Sequence, residues 1–374
     1  MLITKNLLFM SSAIDLINIF KRFDTRGSYY EAYPFGTGHI HDTYRIETSI
    51  GYRDYLLQKL NNNIFRDIPG LQDNIYRITK HIRKKLLLEN ETDIERKCLT
   101  VIKTKEGKTW FRDDNGDYWR MFFFIPDHRS YDIVQNKSLA YEGGKAIGRF
   151  QSLLSDLSGT RLNETIPYFH DIEKRLETFH SALKKDPVSR VGSVKDEINF
   201  VLTREEEMKT ILKLGRQGKI PLRITHNDTK FNNILLDDKD RALCLIDLDT
   251  VMPGYIHYDF GDSIRTVANT GAEDEEDLSL ISMNIEFYEY FTKGYLDQVK
   301  NVLNRTEIDY LAYSPSLMTF IMGLRFLTDY ISGDVYYKIH KPNHNILRAR
   351  TQFRLVECFE KQLETMKSLI FRYY

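Results

Sequence analysis

At 374 residues the chain is longer than one hydrophobic core usually supports, so two lobes are expected. Its 42% hydrophobic and 28% charged residues, with 23 Tyr and 22 Phe, describe a folded globular protein and exclude intrinsic disorder. Lys+Arg and Asp+Glu balance at 53 each, so no global field selects a nucleic acid or an anionic membrane, and we expect neither as a partner.

The chain opens with "MLITKNLLFMSSAIDLINIF". Its short apolar run is broken at once by Ser11 and Ser12, which suits an amphipathic N-terminal helix with Ile14, Ile17 and Phe20 on one face better than a secretion signal. The three cysteines, Cys98, Cys244 and Cys358, are odd in number and far apart, which fits a reducing cytoplasm. A monomer or weak homodimer is expected.

Two alternating stretches follow, "AYPFGTGHIHDTYRIE" (32–47) and "DYLLQKLN" (54–61), and read as strands. "GLQDNIYRITKHIRKKLLLEN" (70–90) places Ile75, Ile78, Ile82 and Leu86 on one helical face. Two further strand regions come next, and "DDNGD" (113–117) between aromatic runs carries an Asn-Gly hairpin signal. From about residue 138 the pattern turns helical, with "SLAYEGGKAIGRFQSLLSDL", "FHDIEKRLETFHSALKK" and "SVKDEINFVLTREEEMKTILKLG" as long periodic segments. Three strands interrupt it, at 222–225, 233–238 and 242–249, after which the chain reads as helical to its end. The acidic run "EDEED" (273–277) is most simply a solvated loop or helix start. The expected class is α+β, with a small β-rich N-terminal lobe over 1–125 and a larger, mainly helical lobe over 126–374.

The densest polar cluster is "ITHNDTKFNNILLDDKDRALCLIDLD" (224–249). Phosphoryl transfer to a hydroxyl needs a carboxylate to orient and deprotonate it, and oxygen ligands for the metal that neutralises the phosphates. Asp228 and Asn233 stand five apart, as carboxylate and metal ligand; Lys230 is placed to reach the γ-phosphate. Asp247 ends the next strand and completes the metal pair. The letters Asp-Phe-Gly also occur, at 259–261, but beyond Pro253-Gly254 on another segment, so spacing assigns the metal to Asp247 and not to Asp259. His226 reads as an imidazole that orients the loop. The motif is weak alone, and a set of turn caps would look the same; the flanking β-runs strengthen it.

"THNDTKFNNILLDDKDRALCLIDLDTVMPGYIHYDFGDSIR" resembles the aminoglycoside phosphotransferase/choline kinase superfamily, and within it the N-acetylhexosamine 1-kinase group. "YPFGTGHIHDTY" is similar to that family's phosphate loop, "YLLQKLN" to its third strand, and "GLRFLTDYISGDVYYKIHKPNHNILRARTQ" (323–352) to its C-terminal signature. The resemblance implies a two-lobed protein-kinase-like fold and transfer of phosphate from ATP, with Mg²⁺, to the anomeric hydroxyl of GlcNAc or GalNAc. It makes Asp259 a buried support for the catalytic loop. It implies nucleotide contacts from Gly36, Gly38 and Gln58 and from the linker around Phe123 and Ile125, and sugar contacts from His39, Asp228, Arg325 and Tyr336. An ordinary hairpin turn would also use Gly36 and Gly38, a core strand would also account for the linker, and Arg325 could instead pair with Asp329. One departure stands out: kinases place a lysine on the third strand, paired with a helix glutamate, whereas here Gln58 holds that point and the helix offers Asp73. Either the register shifts to turn Lys59 inward or the nucleotide is held without that pair. A kinase for an amino alcohol, an aminoglycoside or another sugar, or a binding module without catalysis, are the rival readings.

Overall fold

The computed structural model describes residues 16–36 and 40–374. The chain divides into two compact units, one of residues 1–128 with 157–166 and one of 129–156 with 167–374.

The first unit is built on one antiparallel sheet. Its strands are β1 (Tyr29–Pro34), β2 (Asp42–Thr48), β3 (Tyr55–Leu60), β4 (Val101–Ile102), β5 (Phe111–Arg112) and β6 (Tyr118–Phe123), in the order β1-β2-β3-β6-β4 with β5 also on β6. Period-two alternation sorts the side chains: Tyr55, Leu57, Trp119 and Met121 bury on one face, against Leu16, Ile19 and Phe20 of a helical segment over 16–20. That segment buries Leu16 and Ile19 and leaves Ile17 half-buried, so its inner face is rotated from the one expected through Ile17; Ile14 lies outside the described residues. The opposite sheet face carries Thr43, Gln58 and Arg120 in one cross-strand row, set by the pairings Thr43↔Gln58 and Gln58↔Arg120.

The hairpin at 113–117 forms, but with five residues in the loop: Asp113 N–H bonds Asp117 O (2.9 Å), the Asp113 carboxylate accepts from Asn115 N (2.9 Å), and Gly116 takes the left-handed conformation (φ 87°). Helix α1 (Ile68–Leu88) starts at Asp67, whose carboxylate caps Gly70 N (3.0 Å), and buries Ile68, Leu71, Ile75, Ile78, Ile82 and Leu86. Residues 157–166 join this unit through Asn163, which exchanges hydrogen bonds with Asn74 (Asn74 Nδ2 to Asn163 O, 2.8 Å; Asn163 N to Asn74 Oδ1, 2.9 Å).

The second unit is mostly helical: α2 (Lys137–Leu154), α3 (Ile172–Lys185), α4 (Ile256–Val267), α5 (Ile285–Val299), α6 (Ser314–Ser332) and α7 (His344–Tyr373). One core of this unit joins α3, α6 and α7 through Leu176, Phe179, Phe320, Leu324, Phe353 and Val356. The stretch 193–215, periodic enough to read as one helix, is three pieces, at Lys195–Leu202, Glu205–Met208 and Thr210–Arg216. At the first break the Thr203 hydroxyl bonds back to Asn199 O (2.9 Å), the competition with the helical ladder that threonine offers. Two hairpin-like pairs lie between the helices. β8 (Ile234–Leu236) pairs with β9 (Ala242–Leu245), and β7 (Arg223–Thr225) pairs with a strand not expected from the sequence, β10 (Met252–Gly254). No helix among the described residues is long and apolar enough to cross a membrane.

Candidate active site

The loop between β7 and β8 holds His226, Asp228, Lys230 and Asn233, and almost every backbone group around Asp228 is tied down. Asn227 sits in the left-handed region (φ 66°), which asparagine tolerates, and its side chain bonds Thr250 O (2.9 Å) and Thr225 O (3.2 Å). His226 is fully buried, and its Nε2 donates to Ile246 O (2.9 Å), tying the loop to the residue before Asp247. The Asp228 amide donates to His226 Nδ1 (3.3 Å). His226 thus has the orienting place expected for it.

Helix α4 grips the same loop from below. Asp259 is fully buried and accepts from His226 N (2.9 Å), Asn227 N (2.7 Å) and Gln151 Nε2 (2.8 Å). Burial pushes its carboxyl above the usual range, opposed by those N–H donors. One turn on, Asp262 accepts from Thr229 N (3.1 Å) and pairs with buried Arg265 (2.7 Å); burial raises its pKa, and the arginine more than reverses this, holding it below the usual range. Phe260 packs edge-on against Tyr288 and Phe291, and a Cβ on Gly261 would lie 2.3 Å from Ser314 O, so the helix can approach α6 only at glycine. The literal Asp-Phe-Gly is therefore a structural wedge: a loop clamp, a core plug and a close approach. Asp262 and Arg265 were not singled out in the sequence, although the three-residue spacing Asp259, Asp262, Arg265 is that of one helix face.

In the resulting geometry the Asp228 side chain is 24% exposed, and Lys230 Nζ stands 3.3 Å from its Oδ2. Burial pulls the Lys230 pKa down, but Asp228 and then Asp247 more than compensate and raise it, so the ammonium is locked on. Asn233 Nδ2 donates to Asp228 O (2.9 Å), which turns its Oδ1 into the remaining acceptor edge. Asn233 O receives Ile246 N (2.9 Å), so the β8–β9 pair sets Asp247 beside Asn233, with Asp247 in the left-handed conformation (φ 59°) as the strand ends. An amide oxygen and a carboxylate are hard oxygen donors, a set that fits a Mg²⁺ ion keeping waters and phosphate oxygens as its other ligands.

In the first unit, Gly36 has φ 78°, a turn only glycine makes without strain; Gly38 and His39 lie outside the described residues. Lys59 does not turn inward: it pairs with Asp117 (2.5 Å) on the Trp119 face. Gln58 Nε2 donates to Thr43 Oγ1 (2.9 Å), and Gln58 Oε1 accepts from Arg120 Nε (2.8 Å). Asp73 faces out, its side chain 54% exposed, against Arg77. In the linker, Phe123 N–H is committed to Thr100 O (3.0 Å) and Ile125 O accepts from His128 Nδ1 (2.6 Å), so neither of those two groups stands ready for an adenine ring.

Arg325 and Tyr336 do come together, in the wall of a cavity of about 210 Å³ that Arg175, Asp329 and Tyr337 also line. Asp329 does not pair with Arg325. Its carboxylate accepts from the amides of Val335, Tyr336 and Tyr337 (3.0, 2.8 and 2.9 Å) and from Asn345 Nδ2 (2.9 Å), which shapes the 335–337 turn. Arg325 lies over the rings of Phe169, Tyr336 and Tyr337, and among the described residues neither it nor Arg175 forms an ion pair. Arg175 Nε is buried without a partner, and burial, aided by the charge of Arg325, pushes its pKa down to about 10. Phe169 and His170 join cavity to loop: Arg175 donates to Phe169 O (2.7 Å), and His170 Nε2 donates to Asn227 O (2.9 Å), the residue before Asp228. Sequence reasoning missed Arg175 and His170, which meet the site only through helix packing.

Solved structures share this fold across nearly the whole chain. An aminoglycoside phosphotransferase from Alicyclobacillus acidocaldarius matches with a TM-score of 0.57 at 11% identity, over 97% of this chain and 96% of that one. A choline kinase from Cryptosporidium parvum matches with a TM-score of 0.57 at 14% identity, over 95% and 99%. A microcompartment-associated aminopropanol kinase matches with a TM-score of 0.54 at 14% identity, over 95% and 98%. The fold is thus the protein-kinase-like one of the aminoglycoside phosphotransferases and choline kinases, a β-sheet N-terminal region followed by a helical one. The sequence model of the phosphotransferase enzyme family, APH, matches residues 32–298, well over half the chain, and the protein belongs to that family of small-molecule phosphotransferases.

Proposed function

We propose that the protein is an ATP- and Mg²⁺-dependent kinase for the anomeric hydroxyl of an N-acetylhexosamine, yielding the sugar 1-phosphate. The observation that carries the acceptor class is the charge of the cavity beside the loop. Two guanidiniums line it, and its one carboxylate, Asp329, is spent on backbone amides. A cationic amino alcohol or aminoglycoside would meet like charge there, whereas hydroxyls and an acetamide carbonyl accept from guanidinium forks. Tyr336, with its ring exposed at the rim, supplies an apolar face of the kind sugars stack on.

In this reading Asp228 accepts the proton of the anomeric hydroxyl, which is more acidic than an ordinary alcohol, and orients its oxygen for attack. Lys230 offers its charge to the transferring phosphoryl group. Asn233 and Asp247 hold Mg²⁺, which neutralises the phosphates when bound. Gly36 lets the β1–β2 turn approach the nucleotide, with Gly38 and His39 completing that loop, and the Phe123–Ile125 linker walls the adenine.

The test is ADP release with GlcNAc, GalNAc, glucose, choline and ethanolamine as acceptors. GlcNAc or GalNAc should be preferred, and Arg325→Ala should raise KM for the sugar more than about tenfold with KM for ATP nearly unchanged. A preference for choline or ethanolamine, or equal changes in both KM values, contradicts the assignment.

A further inference from the structure

Building on the kinase reading, we propose that the cavity of Arg175 and Arg325 binds an anion, a carboxylate or a phosphate group, brought either by an acidic acceptor sugar or by a free ion. The two guanidiniums meet at Phe169. Arg175 donates to its backbone oxygen (2.7 Å), and Arg325 lies over its ring, 5.7 Å from the centre. Both line one cavity of about 210 Å³ and both are half-buried, so each keeps surface that a ligand can reach.

What singles the pair out is the want of a counter-charge. Half-buried arginines elsewhere in the same unit each face a carboxylate: Arg190 has Asp334 (2.5 Å), Arg204 has Glu360 (2.8 Å) and Arg223 has Glu307 (2.6 Å). Among the described residues Arg175 and Arg325 have no such partner. Asp329 lines the cavity too, but its oxygens accept from three backbone amides and Asn345, and even counting its charge the lining is net positive. Glu273, whose charge is felt at Tyr337, pairs with Arg348 (3.4 Å). Two like charges drawn partly out of water repel, and burial together with the charge of Arg325 brings the Arg175 pKa down to about 10. Charges withdrawn from water are ordinarily paired, so a cation pair built without its anion gains that anion from a ligand.

A hydroxyl or an acetamide carbonyl would occupy these donors with a dipole and leave the net charge in place. A carboxylate or phosphate brings oxygens at the spacing a guanidinium fork matches, and the charge with them. Arg325 is held for this by the rings of Tyr336 and Tyr337, whose centres lie 5.9 and 5.5 Å from its guanidinium, and Ser332 adds a hydroxyl to the lining. The next residue after Phe169, His170, bonds Asn227 O (2.9 Å) in the catalytic loop, so the anion belongs to the acceptor's side, as a group of the acceptor or as an ion competing with it. Transfer itself is unaltered. The anomeric oxygen gains the phosphorus, the bond from that phosphorus to ADP breaks, and Asp228 takes the proton.

The experiment is calorimetric titration of the full chain, alone and with MgADP bound, using GlcNAc, GlcNAc 6-phosphate, the 6-carboxylate of GlcNAc and inorganic phosphate as probes. If the acceptor brings the anion, the charged sugars should bind about tenfold or more tighter than GlcNAc, the worth of charged hydrogen bonds, with the advantage shrinking as salt is added. If a free ion does, inorganic phosphate should bind and be displaced by GlcNAc, with the charged sugars no better than the neutral one. Either preference should vanish in Arg175→Gln and survive in part in Arg175→Lys. Should Arg175→Gln fail to fold, Arg325→Gln repeats the test, since Arg325 makes only a long contact to Met322 Sδ (3.5 Å). Charged sugars no tighter than GlcNAc together with no binding of phosphate, or a preference that persists in both glutamine variants, would overturn the proposal. A chain that binds these anions but neither binds nucleotide nor releases ADP with any acceptor would instead sink the kinase reading and leave the anion site standing.

Discussion

Asp247 and Asp259 lie twelve residues apart, and the two carboxylates have opposite lives. Asp259 is fully buried and accepts three N–H bonds from its surroundings, so its oxygens are occupied by protein. Asp247 follows β9, next to Ile246, whose N–H bonds Asn233 O (2.9 Å). Removing each should therefore give a different phenotype. Asp247→Ala is expected to abolish Mg²⁺-dependent ATP binding. Asp259→Ala leaves buried N–H groups unpaired, a cost of roughly 3–5 kcal/mol, and should lower the melting temperature while the residual folded protein still binds MgATP. Calorimetry and thermal melts on the two variants separate these outcomes. The reverse pattern would make the literal Asp-Phe-Gly the metal site. At this scale the buried place of Asp259 and the orienting place of His226 agree with what the sequence led us to expect. What spacing could not reveal was the Gln58–Arg120 bond, because a cross-strand neighbour is 62 residues away in the chain and declares itself only through register. Arg175 was hidden for the same reason, its meeting with Arg325 being a matter of how α3 packs on α6.

The elements that hold the loop also make it sensitive to acid. His170, just before α3, is buried against Asn227 O, and His257, in the first turn of α4, is buried with its Nε2 on Glu307 O (3.0 Å). Burial pushes both imidazoles down to about 4. The unfolded chain takes up these protons near pH ~6.5 and the folded one does not until much lower. The unfolded state thus binds more protons in that window, and the stability these neutral histidines contribute is full above pH ~6.5 and is lost as pH falls toward about 4. Each accounts for roughly 3 kcal/mol over that span. Denaturant melts across it should show falling stability, with a shallower slope in His257→Gln. A flat profile from neutral pH down to pH ~4 would show that the two rings are protonated in the fold as readily as out of it. Neither histidine was marked as special by sequence, since burial inside a helix-packed core leaves no local pattern. The helices themselves were legible from their periodicity. Their breaks at 203 and 209, and the short β10, were not, because three-residue pieces carry too little pattern to compete with their surroundings.

Across the whole molecule the two units divide the chemistry by composition. The first offers a glycine turn, a bridging glutamine and a buried arginine on one sheet face. The second offers a loop clamped by α4, the paired donors Asn233 and Asp247, and a cavity of about 210 Å³ whose charge is positive. That allocation follows from folding physics. The sheet presents a flat, alternating face on which a polar row can be set by register, whereas the helices enclose a three-dimensional pocket and fix a loop by its backbone. The α+β plan and the family could be read from motif and element order. The charge of the cavity could not, because it depends on which of Asp329's possible partners the fold selects.

On the proposed function, this loop transfers phosphate to the anomeric hydroxyl of an N-acetylhexosamine with Asp228 as its base. Phosphorus NMR of reactions with MgATP and GlcNAc or GalNAc, run beside the Asp228→Asn variant, tests it most directly. The account predicts ADP and a sugar 1-phosphate in equal amounts from the wild type, and turnover about 10²–10⁴-fold lower in Asp228→Asn with MgATP affinity retained. ADP formation no faster than without acceptor in the wild type, or near-normal turnover in Asp228→Asn, would contradict it.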